Sequence, residues 1–469
     1  MNRLLQATIA RLVQTGKLTV TGADGSTLSF GDGSGPDIHI VIRSRRAEWA
    51  IGIDPVLALP ESYMQGNLDF VGGDVFGLLQ TAYANFSRPS AETGWTRALE
   101  RVRRAFRRLQ QINTAARARR NVHRHYDLSA EFYRLFLDED MQYSCAYFPQ
   151  EGISLEEAQA AKKRHIAAKL RLAPGQKILD IGSGWGGLGL YMAENFGGDV
   201  LGATLSTEQH AVANDRAKAA GLQANARFEL LDYRSLEGPF DRIVSVGMFE
   251  HVGINHYRAF FEKSASLLKP DGVMVLHTIG RSGVPQATNA FIRKHIFPGG
   301  YIPSLSDMMP AIEKSGLVMT DLEVLRLHYA ETLRHWSQRF AANRSQAKEM
   351  YGERFCRMWE FYLAGSEASF RWQDLVVFQL QLTRAKDALP LTRDYIGEAE
   401  KHLAAPPPAG GGAKGFRRPP NRAIPVRCDR ASCLRPRDVS GLFFRTESLL
   451  YPGHSQCPGA KSRPGLWRL

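Results

Sequence analysis

The sequence predicts an α/β protein. A doubly wound, mainly parallel sheet is preceded by a small α+β domain and followed by a tail that lacks the means to fold. Three observations carry this reading. Lys177–Gly187, KILDIGSGWGG, is a short apolar run ending at Asp180–Ile181, then glycines at 182, 184, 186 and 187, then a new apolar pattern from Leu188: strand, tight turn, helix. Further strand-like runs, Val200–Ser206, Ala226–Leu231, Asp241–Val246 and Val273–Thr278, alternate with helical stretches. Beyond residue 404 the composition changes abruptly, with ten of the 23 prolines and runs such as PPP and GGG.

In chain order, residues 1–95 read as the small domain. Leu4, Leu5, Ile9, Leu12 and Val13 form a helical stripe, and Leu18–Val20 and Thr27–Phe30 flank a Gly/Asp turn. Asp37–Arg43 alternates as a strand does, and helical patterns follow around Asp54–Ala58 and Val75–Ala84. Residues 96–124 form a basic link. Within it, Arg97–Ile112 places Leu99, Val102, Phe106 and Leu109 on one helical face and arginines on the other. That pattern suits an anionic lipid surface, and equally a linker helix with a solvated basic side. Residues 125–403 hold the sheet. Leu317–Leu327 is read as its last strand region, and Leu333–Asn343 and Arg354–Arg384 as helical, the latter interrupted near Gly365. Residues 404–469 are expected to be disordered.

The net charge of +13 is unevenly placed. Residues 405–469 carry twelve Lys/Arg against three Asp/Glu, and Arg97–Arg124 ten Arg against Glu100 alone, so the rest of the chain is mildly acidic. A nucleic-acid role would rest on charge without a recognisable module and is not favoured. Of five cysteines, Cys428, Cys433 and Cys457 fall in the tail, leaving Cys145 and Cys356; this is not a disulfide framework or a metal-ligand set, and it suits a reducing cytoplasm. Arg11 and Lys17 interrupt the N-terminal apolar residues, so no signal peptide is expected, and no apolar run is long enough to span a membrane.

A glycine turn between strand and helix lets a nucleotide-like ligand approach the backbone beside a helix N-terminus. The plain alternative is a turn that only packs a helix on a sheet. Gly182, Gly184 and Gly187 also satisfy G-x-G-x-x-G, the dinucleotide fingerprint. A dinucleotide site wants an acid at the end of the next strand. Here that strand ends in Thr204-Leu205-Ser206 with Glu208 just beyond, which weighs against NAD but leaves it open.

Six further segments bear on the choice: HYDLS at His125–Ser129, MQYSCAYF at Met141–Phe148, LSTEQ at Leu205–Gln209, VGMFEHVG at Val246–Gly253, LHTIG at Leu276–Gly280 and FPGGYIPS at Phe297–Ser304. With the glycine turn they resemble the cyclopropane-fatty-acyl-phospholipid synthases and the related enzymes that modify mycolic acids. The resemblance covers most of residues 1–400 and is densest from 121 to 400. It implies a class I S-adenosylmethionine (SAM)-dependent methyltransferase, with a Rossmann-like seven-stranded sheet and an N-terminal domain for lipid handling and dimer contacts. It further implies a cytoplasmic homodimer that meets unsaturated phospholipids at the membrane surface, without a metal.

On this resemblance, Asp180, Gly182, Gly184 and Gly186 hold the cofactor, Thr204 and Gln209 the ribose and methionine side, Asp232 and Tyr233 the adenine edge, and Tyr143 and Ser144 a lid contact. The implied base is a bound bicarbonate ion caged by Cys145, Glu250, His277, Ile279 and Tyr329. The implied reaction methylates a cis double bond and loses a proton to close a ring, which requires a dry channel and cation stabilisation. Tyr143, Tyr147, Phe148, Trp185, Phe249 and Tyr329 are the aromatic candidates. Ser366 stands where many relatives carry a cysteine, so a mechanism using that thiol is closed to this chain. A methyl-branched product, or a non-catalytic SAM- or lipid-binding protein, are the alternatives.

Overall fold

A computed structural model of the chain describes residues 1–86 and 128–404. The helix expected at Arg97–Ile112, His125–Asp127 of HYDLS, and the disorder expected beyond Ala404 lie outside the described residues.

Helix α1 (Arg3–Leu12) begins at Asn2, whose side chain accepts from Leu4 N at 2.8 Å, and it buries Leu5 and Ile9. Strands β1 (Lys17–Thr21), β2 (Thr27–Phe30), β3 (Asp37–Ile42) and β4 (Leu68–Gly72) form a sheet of order β2-β1-β3-β4. The alternation in DIHIVI is the physical cause: Ile38, Ile40 and Ile42 are buried, and the residues between them are not. Helices α2 (Arg45–Ile53), α3 (Pro55–Met64) and α4 (Val75–Phe86) complete this part. The sequence reading found neither α2 nor β4. In β4 only Leu68 of LDFVG is fully buried, so no alternation signals it.

After α5 (Ala130–Arg134) comes α6 (Leu155–Leu170), which starts in a capping box between Ser154 and Glu157. Then β5 (Lys177–Ile181), α7 (Gly187–Phe196), β6 (Asp199–Thr204), α8 (Thr207–Ala219), β7 (Ala226–Leu230), β8 (Phe240–Val246), α9 (Tyr257–Leu267) and β9 (Leu268–Arg281) alternate as expected. Helices α10 (Leu305–Glu313), α11 (His328–Ala342), α12 (Arg344–Tyr351), α13 (Glu353–Trp372) and α14 (Asp394–Ala404), with strands β10 (Val318–Leu325) and β11 (Leu375–Thr383), finish the described chain. The seven strands run in the order β10-β11-β9-β8-β5-β6-β7. From β9 to β7 all neighbours are parallel, and β11 alone is antiparallel to both its partners.

One helical expectation needs correction. Arg354–Arg384 is not a helix broken at Gly365: α13 runs unbroken to Trp372, and Leu375–Thr383 is β11. Gly365 faces α4, where a Cβ would lie 3.7 Å from Leu79 Cδ1, an ordinary van der Waals contact. Strand β11, LVVFQLQLT, is buried on both faces, and a strand buried on both sides shows no alternation to separate it from a buried helix. Its two glutamines point into the interior: Gln379 Nε2 pairs with His277 Nδ1 at 3.1 Å, while its Oε1 is buried with no partner among the described residues, and Gln381 donates to Tyr395 OH at 2.6 Å.

Candidate active site

The sheet reverses its strand order at β5, which has β8 on one side and β6 on the other. In open α/β sheets the carboxyl ends of the strands at such a point form a crevice. A cleft opens there, lined by Tyr143, Ser144, Asp180, Gly182, Gly184, Thr204, Gln209, Asp232 and Tyr233. Nine of the ten cofactor residues read from sequence thus converge.

The tenth, Gly186, does not line the cleft. It caps α7, and a Cβ there would come within 2.9 Å of both Ala213 and Phe228, so its smallness packs helix on sheet. Gly182 and Gly184 have φ of +84° and +54°, conformations that other residues rarely adopt. A Cβ on Gly182 would press within 2.7 Å of Met248; on Gly184 it would meet nothing, because that position faces open cleft.

Polar groups are arranged along the crevice. Thr204 Oγ1 donates to Gln209 Oε1 at 3.1 Å, and Asp232 accepts from Arg234 N at 3.0 Å and Arg234 Nε at 2.9 Å. Burial pushes the Asp180 carboxyl up to about 7, opposed by the Lys162 ammonium. Ser183 Oγ and Trp185 Nε1, also on the wall, are buried without hydrogen-bond partners among the described residues. Orphaned polar atoms beside a glycine cradle fit a nucleoside ligand that would satisfy them. Sequence reasoning missed several wall residues. Met141, in the left-handed region at φ 56°, and Gln142 lie within MQYSCAYF; His251, held neutral by a pKa that burial lowers to about 4, lies within VGMFEHVG. All three sat inside recognised motifs, but a motif does not say which of its side chains face inward.

The five residues of the expected cage lie outside the cleft wall. Glu250, on a short 3-10 turn (Phe249–His251), accepts from Ile279 N through Oε1 at 2.6 Å. Its Oε2 is buried with no partner among the described residues, and burial raises the carboxyl to about 7. Ile279 packs against the apolar cluster that contains Cys145 and Tyr329. His277 lies two residues earlier on β9, on the same sheet face, buried and held neutral by desolvation. Burial also raises the Cys145 thiol, so it is not a thiolate.

Of the aromatic candidates, Trp185 and Tyr329 belong to that cluster, and Tyr143, Tyr147 and Phe148 pack on it. Tyr143 stacks on Trp336 with centroids 5.2 Å apart. Phe249 differs: it stacks on Tyr257 in the core on the opposite side, and is a packing residue. Ser366 is partly exposed on α13 and does not line the cleft.

A seven-stranded sheet with one reversed strand, and a glycine-cradled cleft at its switch point, define a class I SAM-dependent methyltransferase. A family model described as mycolic acid cyclopropane synthetase matches residues 113–380, and a domain of unknown function matches residues 5–90. The cyclopropane-fatty-acyl-phospholipid synthase of Escherichia coli K12 is 38% identical over 329 residues, covering 70% of this chain and 83% of that protein. A probable fatty acid methyltransferase of Pseudomonas putida is 42% identical over 254 residues, 52% of this chain, and the chain spans 64% of that relative's length. Among solved structures, mycolic acid cyclopropane synthase CmaA1 complexed with SAH and CTAB superposes with a TM-score of 0.54 at 37% identity, covering 56% of this chain and 97% of that one. The chain belongs to the mycolic acid cyclopropane synthetase family.

Proposed function

We propose that the protein transfers a methylene unit from SAM to the cis double bond of an unsaturated phospholipid acyl chain and forms a cyclopropane fatty acid. The observation that carries this reading is Glu250: a buried carboxyl with one oxygen fixed by the Ile279 amide and the other unpartnered, beside an aromatic-rich apolar cluster and next to the cofactor cleft. An alkene is a weak nucleophile, and its methylation leaves a cation on the acyl chain. The cluster excludes water from that cation, and the faces of Tyr143, Trp185 and Tyr329 stabilise it. Ring closure then needs a base.

Bicarbonate, when bound, supplies that base, and the orphaned Glu250 oxygen fits an anion's hydroxyl. Glu250 and the Ile279 main chain would hold it, with Cys145, His277 and Tyr329 completing the surroundings. Asp180, Gly182, Gly184, Thr204, Gln209, Asp232 and Tyr233 bind and orient SAM, and Tyr143 and Ser144 close over it. The test is mass spectrometry of phospholipid fatty acids after incubation with SAM. A gain of one CH₂ that resists mild hydrogenation is expected. A gain that hydrogenates normally, or a saturated methyl branch, would support the methyl-branched product instead. Relatives named as fatty acid methyltransferases give that second reading its support, as does a Mycobacterium tuberculosis tuberculostearic acid methyltransferase, 35% identical over 405 residues.

The lipid is met, on this reading, at the membrane surface, and the enzyme works as a homodimer in the cytoplasm. Among the described residues, no helix is long and apolar enough to cross a membrane. The ten arginines of residues 97–124 would supply the attraction to anionic lipid. Binding to anionic vesicles should weaken as salt rises, since exposed charges are screened over roughly 10 Å at 0.1 M. Gln in place of Arg103, Arg104, Arg107 and Arg108 should weaken vesicle binding and leave SAM affinity unchanged. Unaltered vesicle binding would return the segment to a linker role.

A further inference from the structure

Lys162 is fully buried on α6, and its ammonium serves no role in the scheme above. Its Nζ lies 2.7 Å from Gln142 Oε1 and 2.7 Å from Ser144 Oγ. One turn earlier on the same helix, Gln159 Nε2 donates to the main-chain oxygens of Gln142 and Ser144, at 3.2 and 3.0 Å. Helix α6 therefore grips the segment that closes the cleft from behind, by side chain and main chain together. Burial lowers the Lys162 ammonium to about 8, opposed by the Asp138 carboxylate, so it is charged at neutral pH.

The chemistry of the donor fixes the rest. An ammonium has three donors and no acceptor, so both its partners must accept. For Gln142 this sets the amide: Oε1 faces Lys162 and Nε2 donates to Asp140 Oδ2 at 3.0 Å. For Ser144 it leaves one hydroxyl hydrogen, with no acceptor among the described residues, on a side chain that lines the cleft. Its place in the cleft says what should receive that hydrogen. A Cβ on Gly247, just past β8, would lie 3.9 Å from Ser144 Cβ, whereas Asp232, on the adenine edge, follows β7 on the other side of β5. A cofactor with its adenine at β7 and its ribose beside Thr204 at the end of β6 extends its amino-acid end toward Ser144.

We propose that Lys162 is a positioning residue of the cofactor site: by donating to Ser144 from behind, it commits the Ser144 hydroxyl to donate to the cofactor carboxylate. This rests on the reading of the cleft as the SAM site. Removal of Lys162 frees the Ser144 hydroxyl to turn away and takes a buried positive charge from behind the carboxylate.

The test compares two ligands by calorimetry: S-adenosylhomocysteine, which has the carboxylate, and methylthioadenosine, which lacks the amino-acid end. Lys162→Met should weaken S-adenosylhomocysteine by about tenfold or more and leave methylthioadenosine within about twofold of wild type. Lys162→Gln, which keeps a donor, should fall between, and it carries the test if Lys162→Met does not fold. Equal loss for both ligands would mean that Lys162 only supports the fold, and unchanged S-adenosylhomocysteine affinity would mean that it does not act on the cofactor; either result overturns the proposal. Wild-type protein that binds neither ligand overturns the cofactor reading of the cleft, and the proposal with it.

Discussion

Glu250→Gln should lose ring formation by roughly a hundredfold, the effect of removing about 2–4 kcal/mol of charge-assisted stabilisation from a transition state. SAM affinity should be unchanged, because Glu250 lies outside the cleft wall. The same variant should be more stable than wild type above neutral pH. Burial raises the Glu250 carboxyl from its ordinary 4.5 to about 7, so the folded protein holds a proton that the unfolded chain releases. Between those values stability falls as pH rises, and above about 7 the whole penalty, on the order of 3 kcal/mol, is present. An uncharged Gln carries no such penalty, while its amide oxygen can still accept from Ile279 N. Urea unfolding in bicarbonate-free buffer should therefore favour the variant at pH 8 and show little difference at pH 4.5. A variant that turns over like wild type would remove Glu250 from the chemistry; one no more stable at pH 8 would mean the carboxyl is not strained by burial.

Gly184→Val is expected to have the second large effect, on binding alone. The position has φ +54°, and a side chain there meets no protein atom but projects into the cleft. A left-handed backbone costs a branched residue about 1–2 kcal/mol, less than the roughly 5–15 kcal/mol that holds a typical fold together. SAM affinity by calorimetry should fall by about a hundredfold or more. Gly184→Ala should give a smaller loss, ordering the series by side-chain volume. Normal SAM affinity in folded Gly184→Val would mean that the turn does not touch the cofactor. Gly182→Val is a poorer probe, since its Cβ would collide with Met248 and would report packing as well as binding.

Much of the fold was legible because its signals are local. KILDIGSGWGG predicts β5, a turn and α7, and the parallel strands appear within a residue or two of their apolar runs, save β9, which is longer at both ends. What was hidden depends on partners far along the chain. Strand β11 looked helical because both its faces are covered; its register with β9, His277 opposite Gln379 and Ile279 opposite Val377, accounts for one buried glutamine, and Tyr395 for the other, Gln381. The converging cofactor residues were readable from strand ends, but the inward turn of Gly186 toward Phe228 was not, since four glycines in one turn look alike in sequence. Lys162 gave no signal at all. A lysine in a helix rich in Ala, Glu and Lys reads as a solvated face, and only the packing of α6 behind Ser144 makes it an interior charge.

The packing of α4 against α13 has a consequence for how the chain is made. Residues 75–86 leave the ribosome early, yet the surface that covers them belongs to residues 353–372. Strand β11, which fixes the register of the strand bearing His277 and Ile279, is synthesised later still. A nascent chain can thus assemble the glycine turn and the parallel strands around it while the apolar face of its first folded part is uncovered and its chemistry is incomplete. Contacts this distant in sequence form slowly and leave sticky surface open meanwhile. Aggregation during production should therefore track changes at the α4–α13 contact, such as at Leu79 and Gly365, more closely than changes at the cofactor cleft.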